Sequence, residues 1–286
     1  MASLTADRGR SVGLRFRLLE GRVVGSVGYY DASETGRTQS ISNTAINDIW
    51  TKLATIPGQS ALTNNILASG AYAFYLDTFD YKAQGYEADI TANLTSELRL
   101  TFNAAFPQTE QANTTPNTIA YYNANITQWQ TLAAQLPAGA TQNAVLNTDI
   151  PTIQSVISNA TNGRTVNGTY KWRSNAFAVY QFRHGSLKGL KVGGGANLFG
   201  KQQIGSPTNQ PFVYYYSRAY GTYSALLGYT TRIGKHDLDF QLNVTNFLNY
   251  NEPIFTSLTT LSGVNYRNAY YYATPRNFVF SVRAGF

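Results

Sequence analysis

Cysteine is absent from the 286 residues, and histidine occurs only twice. Without thiols the chain can form no disulfide and offers no thiolate to a metal ion. His184 and His236 are 52 positions apart in the sequence and stand in or beside predicted short turns. Two separated imidazoles do not predict a transition-metal site. We therefore expect no metal and no cofactor.

Charged side chains are also scarce, at 13% of the chain, which is about half the usual share. Tyr (21), Phe (15) and Gly (24) are plentiful instead. A soluble protein normally covers itself with Lys and Glu, so much of this surface is expected not to face water. The net charge is +7, but the basic residues occur singly and form no basic stripe, which argues against nucleic-acid binding.

Long apolar runs are missing as well: no stretch of 18 apolar residues occurs, which argues against transmembrane helices. What is present is alternation. In the last stretch, Ala273 to Phe286, apolar Phe278 and Phe280 alternate with Asn277 and Ser281 up to the final residue. A strand with one apolar and one polar face suits a transmembrane β-barrel, where lipid lies on one side and a wet lumen on the other.

The same alternation recurs in eight other segments of about ten residues, the length that a tilted membrane strand needs. Leu238, Phe240 and Leu242 alternate most clearly with polar neighbours. The sequence thus predicts an all-β fold, an antiparallel meander of nine transmembrane strands. The connections alternate between short turns at 20–21, 95–97, 184–189 and 233–235, and long loops at about 33–80, 109–170, 204–220 and 250–266. Thr44 to Leu53 and Ile126 to Leu136 resemble helices within these loops.

Short periplasmic turns and long extracellular loops are typical of bacterial outer-membrane barrels. Nine strands that begin at the outer surface cannot place both chain ends in the periplasm, as even-numbered single-chain barrels do. This parity predicts the C-terminal part of a larger barrel.

Three stretches and the chain end resemble TonB-dependent outer-membrane receptors. The stretches are Arg10–Asp31, Tyr81–Thr101 and L-N-V-T-N-F-L-N (Leu242–Asn249), the last being similar to the family's N-V-x-N-L-F-D box. Pro275-Arg276 and the alternating strand after it are similar to the family's final strand. Asn249 stands where the family often has Asp. The resemblance covers residues 1–286 apart from the loops and implies the last nine strands of a barrel of about 22.

The resemblance implies energised uptake of a scarce nutrient, such as a ferric siderophore, across the bacterial outer membrane, and no enzymatic activity. It implies as partners outer-membrane lipid, the barrel-assembly machinery that reads the C-terminal strand with Phe286, a plug domain and the TonB energy-coupling protein. We recognise no plug, coupling box or signal peptide in the chain, and expect them in a longer parent protein. A structural or adhesive barrel that acts through its surface loops is the alternative.

Two groups of candidate site residues follow from this topology. Aromatic stretches, Phe212–Tyr216 with Tyr220 and Tyr270–Tyr272, stand where strands meet outer loops. They form either an interfacial aromatic girdle or a ligand-gripping mouth. For the mouth we select Tyr214, Tyr216, Arg218, Tyr266 and Arg267.

The second group is a basic wall on the predicted lumen face. It is either a plug-docking or ligand-attracting surface, or an ordinary hydrated lumen wall. Its members are Arg15, Arg17, Arg99, Arg173, Arg183, Lys191, Arg232 and Arg283.

Overall fold

The computed structural model describes residues 6–40, 44–64, 76–159, 164–206 and 213–285. Nine long strands dominate this part of the chain. They are β1 (Ala6–Leu18), β2 (Val23–Ser40), β3 (Leu76–Asn93), β4 (Leu98–Ala112), β5 (Arg173–Gln181), β6 (Leu190–Phe199), β7 (Tyr220–Ile233), β8 (His236–Thr245) and β9 (Asn277–Gly285). Each pairs antiparallel with the next in chain order, so the predicted nine-stranded meander is confirmed.

Tight turns join the strand pairs at one end of the sheet, which we call the turn end. The first is a short 3-10 segment at Leu19–Gly21, where Glu20 and Gly21 have φ values of 56° and 87°. Gly21 suits this position because a residue without Cβ adopts positive φ at little cost. The long connections leave from the opposite end, called the loop end.

The strand register places the predicted apolar positions on one face of the sheet. Directly paired residues point to the same face. One such row crosses six strands and consists of Leu98, Tyr180, Val192, Leu227, Leu242 and Phe280. A row on the other face consists of Arg15, Ser26, Asp89, Asn103, Asn175 and Asn197. We call these the apolar face and the polar face.

Much of the apolar face is open to the surroundings. Val12 is 71% exposed and Phe280 is 66% exposed. Among the described residues β1 and β9 each pair on one side only, so the sheet is not closed. Such a large exposed apolar surface is unusual for a soluble monomer and marks a surface that meets lipid or protein.

Two strands are longer than the sequence indicated. β2 and β3 have 18 residues each and continue through the outer parts of the predicted loop 33–80. A β-bulge lies between Glu34 and Arg37, and Arg37 lies over the rings of Phe79 and Tyr81. The prediction ended these strands where the apolar alternation ends, but backbone pairing continues with polar side chains.

The longest connections contain helices. These are α1 (Thr44–Leu53), α2 (Pro116–Ala133), α3 (Ala140–Ala144) and α4 (Ile150–Asn159), with a π-helical segment, Val145–Asp149, between the last two. α1 has the predicted bounds. α2 begins ten residues before the predicted Ile126 and ends before the predicted Leu136. None of the described helices has the length and apolarity needed to cross a membrane.

The buried core of the described chain lies among these helices rather than in the sheet. Trp50 and Trp129 are almost fully buried and meet edge to face, with ring centroids 5.8 Å apart. The Trp50 indole N–H donates to the Tyr121 hydroxyl at 3.0 Å. Lys52 Nζ lies 2.6 Å from Asp149 Oδ2 and ties α1 to the π-helical segment. The two longest connections therefore form one helical layer with its own core.

Asp77 joins the helical layer to the sheet. It is the second residue of β3 and is 2% exposed. Its carboxylate accepts hydrogen bonds from the backbone N–H and the side chains of Asn117 and Thr118, at 2.7–3.3 Å, in the first turn of α2. A carboxylate at this position satisfies orphan N–H groups and complements the helix dipole. This capping from a distant strand explains why α2 starts so early.

Candidate ligand-binding site

Five aromatic side chains meet at the loop end of the sheet and form what we call the aromatic cluster. Phe199 stacks on Tyr220, with ring centroids 4.7 Å apart, and Tyr220 stacks on Tyr250 at 5.5 Å. Tyr170 lies 5.4 Å from Phe199. The Tyr170 hydroxyl is 2.9 Å from that of Tyr271. Two strand ends and two long connections thus converge on a single set of rings.

The register fixes the face to which this cluster belongs. Phe199 pairs with both Arg173 and Tyr220. Arg173 also pairs with Ala105, and Ala105 pairs with Glu87, so all of these residues belong to one row across the sheet. These residues lie on the polar face. The aromatic cluster therefore covers the loop end of the polar face, with a guanidinium and a carboxylate in the same row. Stacked rings beside a cation suit a ligand that carries aromatic or anionic groups.

Three of the four cluster tyrosines, Tyr170, Tyr220 and Tyr271, form a hydroxyl triad. The Tyr220 hydroxyl lies 3.3 Å from that of Tyr271 and 3.5 Å from that of Tyr170. Burial raises the pKa of Tyr170 to about 12, with the hydrogen bonds to its neighbours as smaller contributions. Burial also raises the pKa of Tyr250. At neutral pH these phenols are uncharged donors and acceptors.

The raised pKa of Tyr170 predicts a loss of stability in alkali. An unfolded tyrosine titrates near pH 10, so the stability contribution is complete below that pH and is lost as the pH rises through about 12. Unfolding followed from pH 9 to 12 should show a steeper decline for the wild type than for Tyr170→Phe, which has no phenol at this position. Identical pH dependence of the two proteins would contradict the role of this group.

Asn246 holds both ends of the connection between β8 and β9. Its side chain donates to the carbonyl oxygens of Tyr250 and Thr274, at 2.9 and 3.0 Å, and accepts from the Tyr250 N–H at 2.8 Å. Asn246 is 5% exposed and has a φ of 47°, a conformation that Asn tolerates better than most residues. Asn246, the middle asparagine of the L-N-V-T-N-F-L-N stretch, thereby positions Tyr250 in the aromatic cluster.

We expect Asn246→Ala to loosen this connection by about 1–3 kcal/mol, because buried donors and acceptors are left without partners. Hydrogen exchange of the backbone amides in 247–276 should accelerate, while that of β7 should not change. Asn243→Ala is a matched control, because Asn243 lies three positions earlier within β8, where it pairs with Leu226. Unchanged exchange in 247–276 would show that the loop is held by other contacts.

The five residues selected for a ligand mouth make contacts with different partners. The Tyr214 hydroxyl accepts from the Thr165 N–H at 3.2 Å, and Lys171 Nζ lies 4.5 Å from the ring centre of Tyr216. Arg218 lies 3.5 Å from Glu252, with both side chains exposed.

Tyr266 and Arg267 belong to a small hairpin in which Val264–Arg267 pairs with Leu258–Leu261. The Arg267 guanidinium lies over the Phe255 ring. Asn265 precedes Tyr266 in this hairpin, and its side-chain amide donates to the Tyr215 hydroxyl at 3.2 Å. The hairpin therefore contacts the segment that contains Tyr214 and Tyr216.

The aromatic cluster itself contains residues that the sequence did not single out as a site. Tyr220 and Tyr271 belong to the aromatic stretches noted in the sequence, but Tyr170, Phe199 and Tyr250 were not among the candidate residues. Phe199 is the last residue of β6, whereas Tyr170 and Tyr250 lie in long connections. Tyr220 is on the polar face and stacks within the cluster, whereas a lipid-facing girdle would require the apolar face. Ring stacking between connections that are distant in sequence leaves no local sequence signal.

The residues of the predicted basic wall fall on the polar face where they lie in strands, but carboxylates share this face. Lys191 Nζ is 3.0 Å from Asp239, and Arg232 is 3.7 Å from Asp237. Arg283 pairs with Asp239 in the register, and Asp89 lies in the row of Arg15. The polar face therefore has a mixed charge pattern. The other residues of the basic wall that lie in strands are Arg17, Arg99 and Arg173.

Arg183 lies in the turn after β5. Its backbone N–H donates to Glu97 Oε1 at 3.2 Å, and the Tyr180 hydroxyl also donates to this carboxylate. Both hydrogen bonds lower the pKa of Glu97, and the one from Tyr180 has the larger effect. The contact joins two neighbouring turns at the turn end of the sheet.

Two further expectations concern metals and the chain end. His184 lies in the turn after β5, and His236 is the first residue of β8. Across the residues that the structure describes, no group of three or more His, Cys, Asp or Glu is arranged to hold a metal ion. Phe286, expected to act as an assembly signal, lies outside the described residues.

Solved structures share this architecture over nearly the whole chain. The pyoverdine outer-membrane receptor FpvA from Pseudomonas aeruginosa is 17% identical, with a TM-score of 0.56 over 99% of this chain and 30% of its own. The siderophore receptor PiuA from Acinetobacter baumannii is 15% identical, with a TM-score of 0.53 over 96% of this chain and 28% of its own. BauA, the ferric preacinetobactin receptor from the same species, is 14% identical, with a TM-score of 0.51 over 97% of this chain and 29% of its own.

The chain has the fold of part of a siderophore-receptor barrel. It spans less than a third of the length of each of these receptors. The fold expected from the TonB-dependent receptor resemblance is thereby confirmed. No protein-family model matches the sequence, and no curated protein matches it. The neighbours are described as receptors.

Proposed function

We propose that this chain forms part of the barrel of a TonB-dependent receptor in the bacterial outer membrane. Its apolar face contacts lipid and its polar face lines the lumen. The protein takes up a scarce nutrient, a ferric siderophore or a similar chelate. The observation that carries this proposal is the sorting of side chains across all nine strands, because lipid and a wet lumen require opposite surfaces on the two faces of one sheet.

The aromatic cluster is the proposed point of ligand contact. It lies at the loop end of the lumen face, with Arg173 in the same row. The proposed contact region also includes Tyr214, Tyr216, Arg218, Tyr266 and Arg267. The receptors with the same fold bind ferric pyoverdine or ferric preacinetobactin by their descriptions, which supports a ferric chelate as the ligand class.

Uptake against a gradient needs an energy source, which an outer membrane does not supply. In this proposal a plug domain in the lumen and the TonB energy-coupling protein act on the parent protein. The barrel-assembly machinery inserts it through the final strand, Asn277–Gly285 with Phe286.

The experiment is uptake of an iron-55 chelate by a receptor-deficient strain that expresses the full parent protein. We expect uptake that depends on the energy-coupling system and falls at least about tenfold in Tyr271→Ala, the effect of about 1.4 kcal/mol of lost binding. Tyr272→Ala is the matched control, because Tyr272 is exposed and contacts Tyr270 instead of the hydroxyl triad. Uptake that does not depend on energy coupling, or equal loss in both variants, would overturn the proposal.

A structural or adhesive barrel is the second candidate, and the helical layer favours it. A separate core around Trp50 and Trp129 makes the two longest connections an ordered surface structure. Such a layer is suited to holding a partner protein. Deletion of 113–163 that abolishes cell adhesion while iron uptake is preserved would favour this function over import.

A further inference from the structure

A cavity lies at the loop end of β3 and β4, with a volume of about 450 Å³. Its polar lining residues include Lys82, Gln84, Gln108, Glu110, Lys171, Gln203 and Tyr216. A cavity of this size is at the lower end of the range for small-molecule sites and accommodates one or two sugar rings.

Four lining residues, Lys82, Gln84, Gln108 and Glu110, have the register of the apolar face and lie beyond an aromatic edge. Tyr29, Tyr86 and Phe106 are consecutive partners in one row of that face. The next positions outward are polar: the Tyr29 hydroxyl donates to Gln84, and Gln84 donates to Gln108, each at 3.1 Å. Aromatic rings followed by polar groups mark the level at which a lipid-facing wall leaves hydrocarbon. Tyr170 lines the cavity and also belongs to the aromatic cluster, so the two sites are neighbours on opposite faces.

Gln203 provides an independent sign of a ligand. It is 1% exposed, and its amide N–H₂ donates to the Thr165 carbonyl at 3.0 Å. Its Oε1 atom is buried and has no hydrogen-bond partner among the described residues. A buried acceptor without a donor costs about 1–3 kcal/mol, so a small rotation of the Gln203 amide that turns Oε1 toward a donor in the cavity would recover this cost.

The chemistry of the other lining groups indicates which class of ligand fits the cavity. The amides of Gln84 and Gln108 both donate and accept, the Glu110 carboxylate accepts, and Tyr216 offers a ring face next to Lys171. Several adjacent donors and acceptors beside one ring match the hydroxyls and apolar face of a pyranose. Lys82 and Lys171 supply two positive charges against the single negative charge of Glu110, which suits an acidic substituent.

We propose that this cavity binds a saccharide with an acidic substituent, by its hydroxyls at Gln203, Gln84 and Gln108 and its anionic group near Lys82 and Lys171. This ligand differs in chemistry from the imported chelate, and Tyr216 belongs to both proposed contact regions. Either the sugar headgroup of a glycolipid in the surrounding leaflet or a free acidic sugar has this chemistry.

The test uses the full parent protein in detergent and two probes, glucosamine 1-phosphate and lipopolysaccharide with a short core. Binding is measured by calorimetry. The variant Gln108→Trp places a large ring in the cavity from an exposed strand position. Gln111→Trp on the same strand is the matched control, because its side chain lies on the opposite face. We expect Gln108→Trp to weaken binding of at least one probe by tenfold or more, and Gln111→Trp to leave it unchanged.

The pattern across the probes identifies the source. If the free sugar phosphate binds and competes with the glycolipid, the cavity recognises the saccharide itself. If the glycolipid alone binds and Gln108→Trp abolishes this, the headgroup of a membrane lipid is the ligand. Failure of both probes to bind at millimolar concentration, or glycolipid binding that Gln108→Trp does not alter, overturns the proposal. Chelate uptake is measured separately, so this outcome does not bear on the import function.

Discussion

Replacement of Leu242 by arginine is expected to destabilise the protein folded in a bilayer by about 2–4 kcal/mol if the position lies near the membrane midplane. Leu242 is on the apolar face between its strand partners Leu227 and Phe280. Leu227 and Phe280 are 50% and 66% exposed, so the new guanidinium would meet lipid rather than a protein partner. The measurement is reversible folding of the parent protein into lipid vesicles, titrated with guanidinium chloride.

Gln241→Arg is the matched control for this substitution. Gln241 is the preceding residue of β8 and lies on the polar face, between Gly228 and Ser281. An arginine there faces the proposed lumen, so we expect a far smaller loss of stability. Equal losses from the two substitutions would contradict the assignment of the faces, and with it the barrel orientation of this strand pair.

Replacement of Trp50 by alanine should destabilise the helical layer by about 3–5 kcal/mol. Trp50 is 1% exposed, packs edge to face on Trp129 and donates to Tyr121. Its removal leaves a large cavity and takes away the indole donor of the Tyr121 hydroxyl. We expect hydrogen exchange to accelerate throughout α1 and α2, while the amides of the sheet remain protected.

Thr51→Ala provides the comparison, because Thr51 is the next residue of α1 and is exposed. Its hydroxyl donates within the helix, to the Asn47 carbonyl. A surface substitution of this kind should change stability by less than about 0.5 kcal/mol. If Trp50→Ala leaves the exchange of α2 unchanged, the helices do not share a core. If it also unfolds the sheet, the two layers are not independent.

Strands were the most predictable part of the structure, because their signal is local. In β8 the alternation of Leu238, Phe240 and Leu242 with polar residues defines both the strand and its two faces. The antiparallel order followed from the short turns, since neighbours joined by tight turns pair with each other. The helix at Thr44–Leu53 was predicted for the same reason: its apolar residues repeat with the helical period.

The polar extensions and the second long helix were less predictable. β2 continues to Ser40 without an apolar face, so only the paired backbone of β3 reveals it as a strand. α2 starts at Pro116 because Asp77 caps it, although 40 or more positions separate the carboxylate from the N–H groups that it accepts from. A cap from a distant strand has no local motif.

By itself the sequence determined the fold class, the nine strands, their order and the residues that face each side, because all of these follow from a two-residue period and from turn spacing. The tertiary structure alone decided which loop residues meet. Tyr170, Tyr220 and Tyr271 form a hydroxyl triad only because the sheet brings two separate connections and the start of β7 together at one end. The cavity at Gln203 likewise exists only where segments on both sides of β5 and β6 pack together. Contacts between distant segments depend on the path of the whole chain, and no local pattern in the sequence encodes that path.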